Sequence, residues 1–258
     1  MTQKEVELQY KNPSNFATRR KVHEKFGTNK YDWYKWVFDH FDFPPKCKIL
    51  ELGSGLGTLW LNNQERIQKD WDITLSDFSQ EMLDNLKQNL ENAIHPFNFR
   101  LVNVENMPYA DASLDVVIAN ALLYLVPDLE KAIKEIVRVL KPGGILVAST
   151  SGSKYMKELE ELIEKYDLSV HRGYTQYSFS LDNGKDLLLP YFSKSELFRF
   201  ENALLVTEAE PLADYILSTN ENLREDQIKT VRSFFDEYFK RNNQLKITID
   251  TGLFMAKK

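Results

Sequence analysis

Ile49-Leu50-Glu51-Leu52-Gly53-Ser54-Gly55-Leu56-Gly57-Thr58 is the stretch whose reading decides the fold. An apolar run rises to one acidic residue and then breaks into alternating glycines. That pattern reads as a short buried strand turning tightly into a helix. Gly53 and Gly55 reach backbone angles closed to other residues and carry no Cβ. A ligand can then lie against the backbone at the strand's carboxyl end, where open α/β sheets bind their ligands. A Gly-rich turn can also be only a turn. The spacing adds information, because Thr58 stands where a dinucleotide fingerprint carries its third glycine.

Outward from this stretch, strand and helix patterns alternate. Strands are predicted at 48–52, 72–76, 98–103, 115–120 and 145–150, with helices at about 56–68, 79–93 and 128–140 between them. The last helix is the clearest. Asp128 caps it, and Leu129, Ala132, Ile133, Ile136, Val137 and Leu140 recur at helical spacing. Lys141-Pro142-Gly143-Gly144 then stops it and turns the chain into the next strand. Short links between alternating elements imply a parallel, doubly wound, Rossmann-like sheet with right-handed crossovers.

Upstream, helices are expected at 14–26 and about 31–42, the second carrying Trp33, Tyr34, Trp36, Val37, Phe38 and Phe41. They pack on the core, or lie across the carboxyl edge of the sheet as a lid. Downstream, Ser153 is expected to open a helix, and a Tyr- and Phe-rich stretch follows (Tyr174, Tyr177, Phe179, Tyr191, Phe192). Residues 196–207 read as a strand, Pro211 starts a short helix, 225–241 form another, and 246–256 close as a strand. The two late strands suggest an antiparallel edge on a parallel sheet, seven strands in all, with a helical cap insertion. The expected division is 1–45 (N-terminal helices), 46–150 (core) and 151–258 (cap with the last two strands).

The 258 residues include 43% hydrophobic side chains, which suffices for a sizeable core. The net charge is −5, with no lysine- or arginine-rich block, so a sequence-independent grip on nucleic acid is not expected. One cysteine, Cys47, excludes an internal disulfide and a thiolate cluster; no metal site is expected. The polar start and the absence of a long apolar run point to a cytoplasmic protein that neither enters nor spans a membrane.

Three further stretches fall where a nucleoside pocket needs them. Asp77, in Leu75-Ser76-Asp77-Phe78-Ser79, follows the second strand, near the spacing at which a carboxylate meets a ribose diol. Asn103-Val104-Glu105-Asn106-Met107-Pro108-Tyr109 follows the third strand, and Asn120-Ala121-Leu122-Leu123-Tyr124 the end of the fourth. With the glycine turn, Met82-Leu83, the run Asp111-Ala112-Ser113-Leu114-Asp115-Val116-Val117 and Lys141-Pro142-Gly143-Gly144, residues 46–150 resemble the class I S-adenosylmethionine-dependent methyltransferases of small-molecule type.

That resemblance implies S-adenosylmethionine as cofactor and S-adenosylhomocysteine as product. Gly53, Ser54 and Gly55 would line the methionine part, Asp77 would hold the ribose hydroxyls, and Phe78 would flank the adenine. Asn103 would face the adenine amino group with the Val104 amide beside a ring nitrogen, and Asn120 would approach the amino acid end. Glu51, Met82, Glu105 and Ala121 complete the implied cofactor set. The family usually has Asp where Asn103 stands, and often His where Tyr124-Leu125 stands.

The implied reaction is an in-line methyl transfer to a small-molecule acceptor, by a monomer or homodimer. A general base is required only for an acceptor that holds its proton; His23, Tyr34, Tyr124 and His171 are the weak candidates, each more simply explained by packing or solvation. Three other readings remain open: a cofactor-binding module without turnover, a protein or RNA methyltransferase, and a nicotinamide dehydrogenase. No Asn/Asp-Pro-Pro-Tyr run follows the fourth strand, and the Lys-Pro-Gly-Gly turn does not suit the dehydrogenase.

Overall fold

The computed structural model describes residues 13–168, 170, 178–220 and 223–258. Its centre is a seven-stranded sheet: β1 (Lys48–Glu51), β2 (Asp72–Asp77), β3 (Asn98–Leu101), β4 (Leu114–Asn120), β5 (Leu140–Ser151), β6 (Lys194–Val206) and β7 (Leu245–Lys257), in the order β3-β2-β1-β4-β5-β7-β6. β1 to β5 pair in parallel. β7 is antiparallel to both β5 and β6, so six strands share one direction and the last opposes them. This is the Rossmann-like sheet that the alternation implies.

The strands alternate their side chains between two cores. Leu50, Leu52, Val117, Ala119, Leu146 and Ala148 pack on one face, with Ile133 and Ile136 of α5 (Leu129–Val139) and Leu188 of α7 (Gly184–Leu188). Ile49, Ile73, Leu75, Val116, Ile118 and Val147 pack on the other. There they meet α2 (Trp33–Asp39), α3 (Thr58–Leu61) and α4 (Gln80–Asn89). Period-two alternation along strands covered on both sides explains why these runs are almost wholly apolar.

A third core lies apart from the sheet faces. β7 pairs with β5 only as far as Thr251 opposite Ser151, yet β6 and β7 stay paired to Val206 opposite Leu245. The ribbon 201–206/245–250 thus runs on past the carboxyl end of β5. On it pack α1 (Pro13–Phe26), α6 (Lys157–Lys165), α8 (Ala209–Ser218) and α9 (Glu225–Arg241), around Val22, Leu159, Leu212, Tyr215, Val231 and Phe235. The first of these helices is tied to the ribbon by Thr28 N–H to the Ala203 carbonyl at 2.8 Å.

Three local expectations are corrected. The helix after the glycine turn stops at Leu61 and is followed only by a 3₁₀ turn at Gln64–Arg66. Asn63 explains the break: its side-chain amide donates to the carbonyls of Leu59 at 2.7 Å and Tyr34 at 3.1 Å, taking a helical acceptor away from the backbone. Ser153 caps no helix. Its N–H donates to Asp182 at 2.7 Å, and α6 begins only after Met156, whose φ is 58°. Residues 141–144 lie within β5 as a bulge, with Leu140 opposite Leu114 and Ile145 opposite Val116.

Candidate functional site

The sheet order reverses between β1 and β4, and the crevice beyond the strands' carboxyl ends opens there, as doubly wound sheets require. Every element lining it leaves from such an end. Leu52 and Gly53 follow β1, Phe78 follows β2, Val102 to Glu105 follow β3, and Leu122, Leu125, Val126 and Pro127 follow β4. Together they bound a cleft of about 550 Å³, its open mouth included.

Backbone bonds hold the glycine turn rigid. Ser54 N–H donates to the Ser76 carbonyl at 2.8 Å, and Ser76 N–H returns a bond to Ser54 Oγ at 3.1 Å. Ser76 Oγ donates to the Glu51 carbonyl at 2.7 Å. Gly55 has φ 55°, and a Cβ there would meet nothing within 4 Å, so the backbone is bare on the side where a ligand would lie. Gly57, with φ 76°, has a different reason to be glycine: a Cβ would stand 2.8 Å from Leu86 and 2.9 Å from Leu90.

Two buried carboxylates flank the turn. Glu51 is 2% exposed, and burial pushes its pKa up to about 7 against hydrogen bonds from Trp60 and Ser54. The Trp60 indole N–H reaches Glu51 Oε2 at 2.7 Å. Asp77 is also raised by burial, while backbone N–H groups of Ser79, Gly55 and Phe78 oppose the shift; the Ser79 bond to Oδ1 is 3.0 Å. Glu105, the sole ionisable residue among those lining the cleft, accepts from the Asp128 N–H at 2.9 Å. The cleft wall is therefore mostly apolar, with one carboxylate, Glu105, in the lining and two buried carboxyls behind the turn.

The carboxyl end of β4 carries local strain. Ala121 has φ 53°, a conformation that costs a non-glycine residue on the order of 1–2 kcal/mol. Its N–H is held by Ser149 Oγ at 2.8 Å, and the same hydroxyl donates to Asn120 Oδ1 at 2.5 Å. Both residues are thereby anchored to β5.

The loop after β3 is held from behind. Arg138 of α5 donates to the carbonyls of Tyr109 at 2.7 Å and Met107 at 3.0 Å, and pairs with Glu135 and Asp111. Glu135 in turn accepts the Met107 N–H at 2.8 Å.

Of the cofactor residues expected from sequence, Gly53, Phe78, Asn103, Val104 and Glu105 line the cleft. Glu51, Ser54, Gly55, Asp77, Met82, Asn120 and Ala121 stand outside that lining. Met82 sits in the first turn of α4, its N–H donating to Ser79 Oγ at 3.4 Å. Sequence reasoning missed the apolar wall: Leu52, Val102, Leu122, Leu125, Val126 and Pro127. The unbroken run Leu122 to Pro127 directly after a strand was the available signal.

The base candidates scatter. His23 is on α1, its Nε2 3.1 Å from the Tyr155 hydroxyl and its ring against Tyr155 and Tyr215; burial lowers its pKa to about 4. The Tyr34 pKa is raised by burial, and the residue packs beside the second core. Tyr124 packs beside the first core, with its carbonyl accepting from Ser178. His171, like Tyr174 and Tyr177, lies outside the described residues. Among the described residues no group of three or more His, Cys, Asp or Glu side chains could hold a metal ion, and no helix is long and apolar enough to cross a membrane.

Comparison with known proteins agrees with this geometry. Residues 50–148 match the sequence model of a methyltransferase domain. The ubiquinone/menaquinone biosynthesis C-methyltransferase of Haemophilus ducreyi is 26% identical over 147 residues, 56% of each chain. The demethylmenaquinone methyltransferase of Desulfitobacterium hafniense is 31% identical over 125 residues, 48% of this chain and 49% of that one. The chain thus matches about half the length of these curated relatives.

Among solved structures, one assigned as a methyltransferase from Bacillus halodurans superposes with a TM-score of 0.62 at 13% identity, covering 88% of this chain and 98% of that one. A phosphoethanolamine N-methyltransferase of Haemonchus contortus, solved with phosphomonomethylethanolamine and S-adenosylhomocysteine, superposes at 0.59 and 13% identity, covering 98% of this chain and 59% of that one. Residues 50–148 thus match a methyltransferase domain, and the fold around them is the one shared by class I S-adenosylmethionine-dependent methyltransferases.

Proposed function

We propose that the protein binds S-adenosylmethionine in this cleft and transfers its methyl group to a small-molecule acceptor. The observation that carries the reading is the cleft itself: four strand ends converge on it beside a bare Gly55 backbone, within a mostly apolar wall.

The residues present fit the cofactor. Asp77 would hold the ribose hydroxyls, Phe78 and the wall Leu122, Leu125 and Val126 would enclose the base, and Gly53 to Gly55 would lie along the methionine. Asn120 would meet the amino acid end, with Ser149 fixing its amide. Bound there, the cofactor supplies a methyl group on an already activated sulfonium. What remains for the chain is alignment and exclusion of water, and alignment supplies roughly 7–11 kcal/mol in favourable cases.

The segments 13–45 and 151–244 are the proposed source of the acceptor pocket. Tyr34, on α2 within the first of these segments, is the base candidate carried forward. The relatives named above act on carbon and on nitrogen, so the proposal extends to the acceptor's class and no further.

The test is mass spectrometry after incubation with S-adenosylmethionine and a panel of quinols, phenols and amines. A methylated product together with S-adenosylhomocysteine supports the reading. Tight cofactor binding with no methylated product across the panel would favour a binding module instead. Methyl label in bulk RNA or protein would replace the small-molecule acceptor.

A further inference from the structure

A polar but uncharged row crosses the carboxyl edge of the sheet beyond the cleft. Ser151 on β5 stands opposite Thr251 on β7, and Thr251 opposite Phe200 on β6. Opposed residues of antiparallel strands share a face, as do residues two apart on one strand. The row therefore shares the face of Leu253 and Phe198, which packs in the same core as α2. Asp250 and Arg199, next to it in sequence, pair with each other on the opposite face. The Ser151 and Thr251 hydroxyls are half-buried and have no hydrogen-bond partner among the described residues.

The helix α2 bridges this row. On one side Asn62 donates to Asp32 at 3.2 Å, and Asn63 to the Tyr34 carbonyl at 3.1 Å, both from the segment after β1. On the other side Trp33 and Trp36 meet Phe200, with ring centroids 5.4 Å and 5.2 Å away. β4, β5 and β7 lie between β1 and β6, so their carboxyl ends pass beneath the helix. Asn120, held by Ser149, bounds the row on the side of the cleft.

We propose that Ser151 and Thr251 are the floor of the acceptor subsite and Trp33, Trp36 and Phe200 its wall, and that the subsite takes an uncharged aromatic ring bearing a hydroxyl or carbonyl oxygen. This rests on the methyl-transfer reading given above. Each free hydroxyl can donate to or accept from such an oxygen, and the aromatic wall offers edge and face contacts to a ring. A carboxylate or an ammonium would lose water there with no opposite charge to meet it. The two indoles stack on each other at 5.2 Å instead of opening as a cage around a cation. From Ser151 to Phe200 the row spans two strand spacings, about 10 Å, the length of one ring or two fused rings with a substituent.

The test is calorimetric titration of the protein, saturated with S-adenosylhomocysteine, with 2-naphthol, 2-naphthoate and 2-naphthylmethylammonium. The expected result is 2-naphthol bound on the order of tenfold more tightly than either charged probe. Ser151→Ala and Thr251→Val should each weaken 2-naphthol roughly threefold to tenfold and leave the Kd of S-adenosylhomocysteine unchanged. No binding of 2-naphthol, a charged probe bound as tightly, or 2-naphthol affinity unchanged in both variants overturns the inference while leaving the cofactor reading intact. Failure of the natural protein to bind S-adenosylhomocysteine overturns both.

Discussion

The Trp60 indole donates to the Glu51 carboxylate at 2.7 Å in a place closed to water: Glu51 is 2% exposed and Trp60 0%. Burial raises the folded pKa of Glu51 from 4.5 to about 7. Between those values the folded chain holds a proton that the unfolded chain has lost. Stability attributable to Glu51 therefore falls as pH rises through this window. Glu51→Gln keeps an acceptor for Trp60 and removes the charge. Relative to the natural protein, the variant should gain stability from pH 5 to pH 8 by on the order of 3 kcal/mol, measured by urea unfolding. Parallel pH profiles for the two proteins would contradict this.

His23 acts with the opposite sign. Its folded pKa lies below the ordinary 6.5, at about 4, because burial disfavours the imidazolium. The stability it contributes is present above 6.5 and is lost as pH falls toward about 4. An NMR titration should find the His23 ring neutral at pH 5, where the Tyr155 hydroxyl still pairs with Nε2. A midpoint near 6.5 would show that the ring is hydrated.

Gly55→Ala and Gly57→Ala should separate binding from packing. Both place a side chain at positive φ, at a cost of roughly 1–2 kcal/mol. The added methyl at 55 enters open space, and at 57 it presses on Leu86 and Leu90. Gly57→Ala should lose a further 1–3 kcal/mol or so of stability, whereas Gly55→Ala should lose cofactor affinity by more than its stability cost implies. Denaturation and calorimetry on both variants check the split.

Arg138 ties the loop after β3 to α5 through the Tyr109 and Met107 carbonyls and the Asp111 carboxylate, with Glu135 holding its guanidinium from the same helix. Arg138→Lys keeps the charge but loses the planar fork. It should lower stability by about 1–3 kcal/mol and weaken S-adenosylhomocysteine binding several-fold, because Asn103 and Val104 ride on that loop. Unchanged affinity in a folded variant would make the clamp purely structural.

The sheet was legible because it is written locally. Glycine turn, strand ends and the periodic helix at 128–140 each specify their own backbone, and 225–241 matches α9 to the residue. What stayed hidden depends on partners distant in sequence. Asn63 breaks α3 by reaching Tyr34 on another helix. His23 meets Tyr155 at a separation of 132 residues, and the ribbon extending past β5 follows from the register between β6 and β7, which neither strand's own pattern encodes. The apolar wall at 122–127 reads from sequence as core, and only the fold turns it toward the cleft.

The most direct measurement is a thermal-shift comparison of S-adenosylmethionine, S-adenosylhomocysteine and NAD. At about 100 times its Kd, a ligand stabilises by roughly 2.7 kcal/mol, a rise in Tm of about 5–10 °C for a chain of this size. A rise of that order with the two S-adenosyl compounds and none with NAD is the expected result. No shift with either S-adenosyl compound on folded protein would contradict the assignment of the cleft.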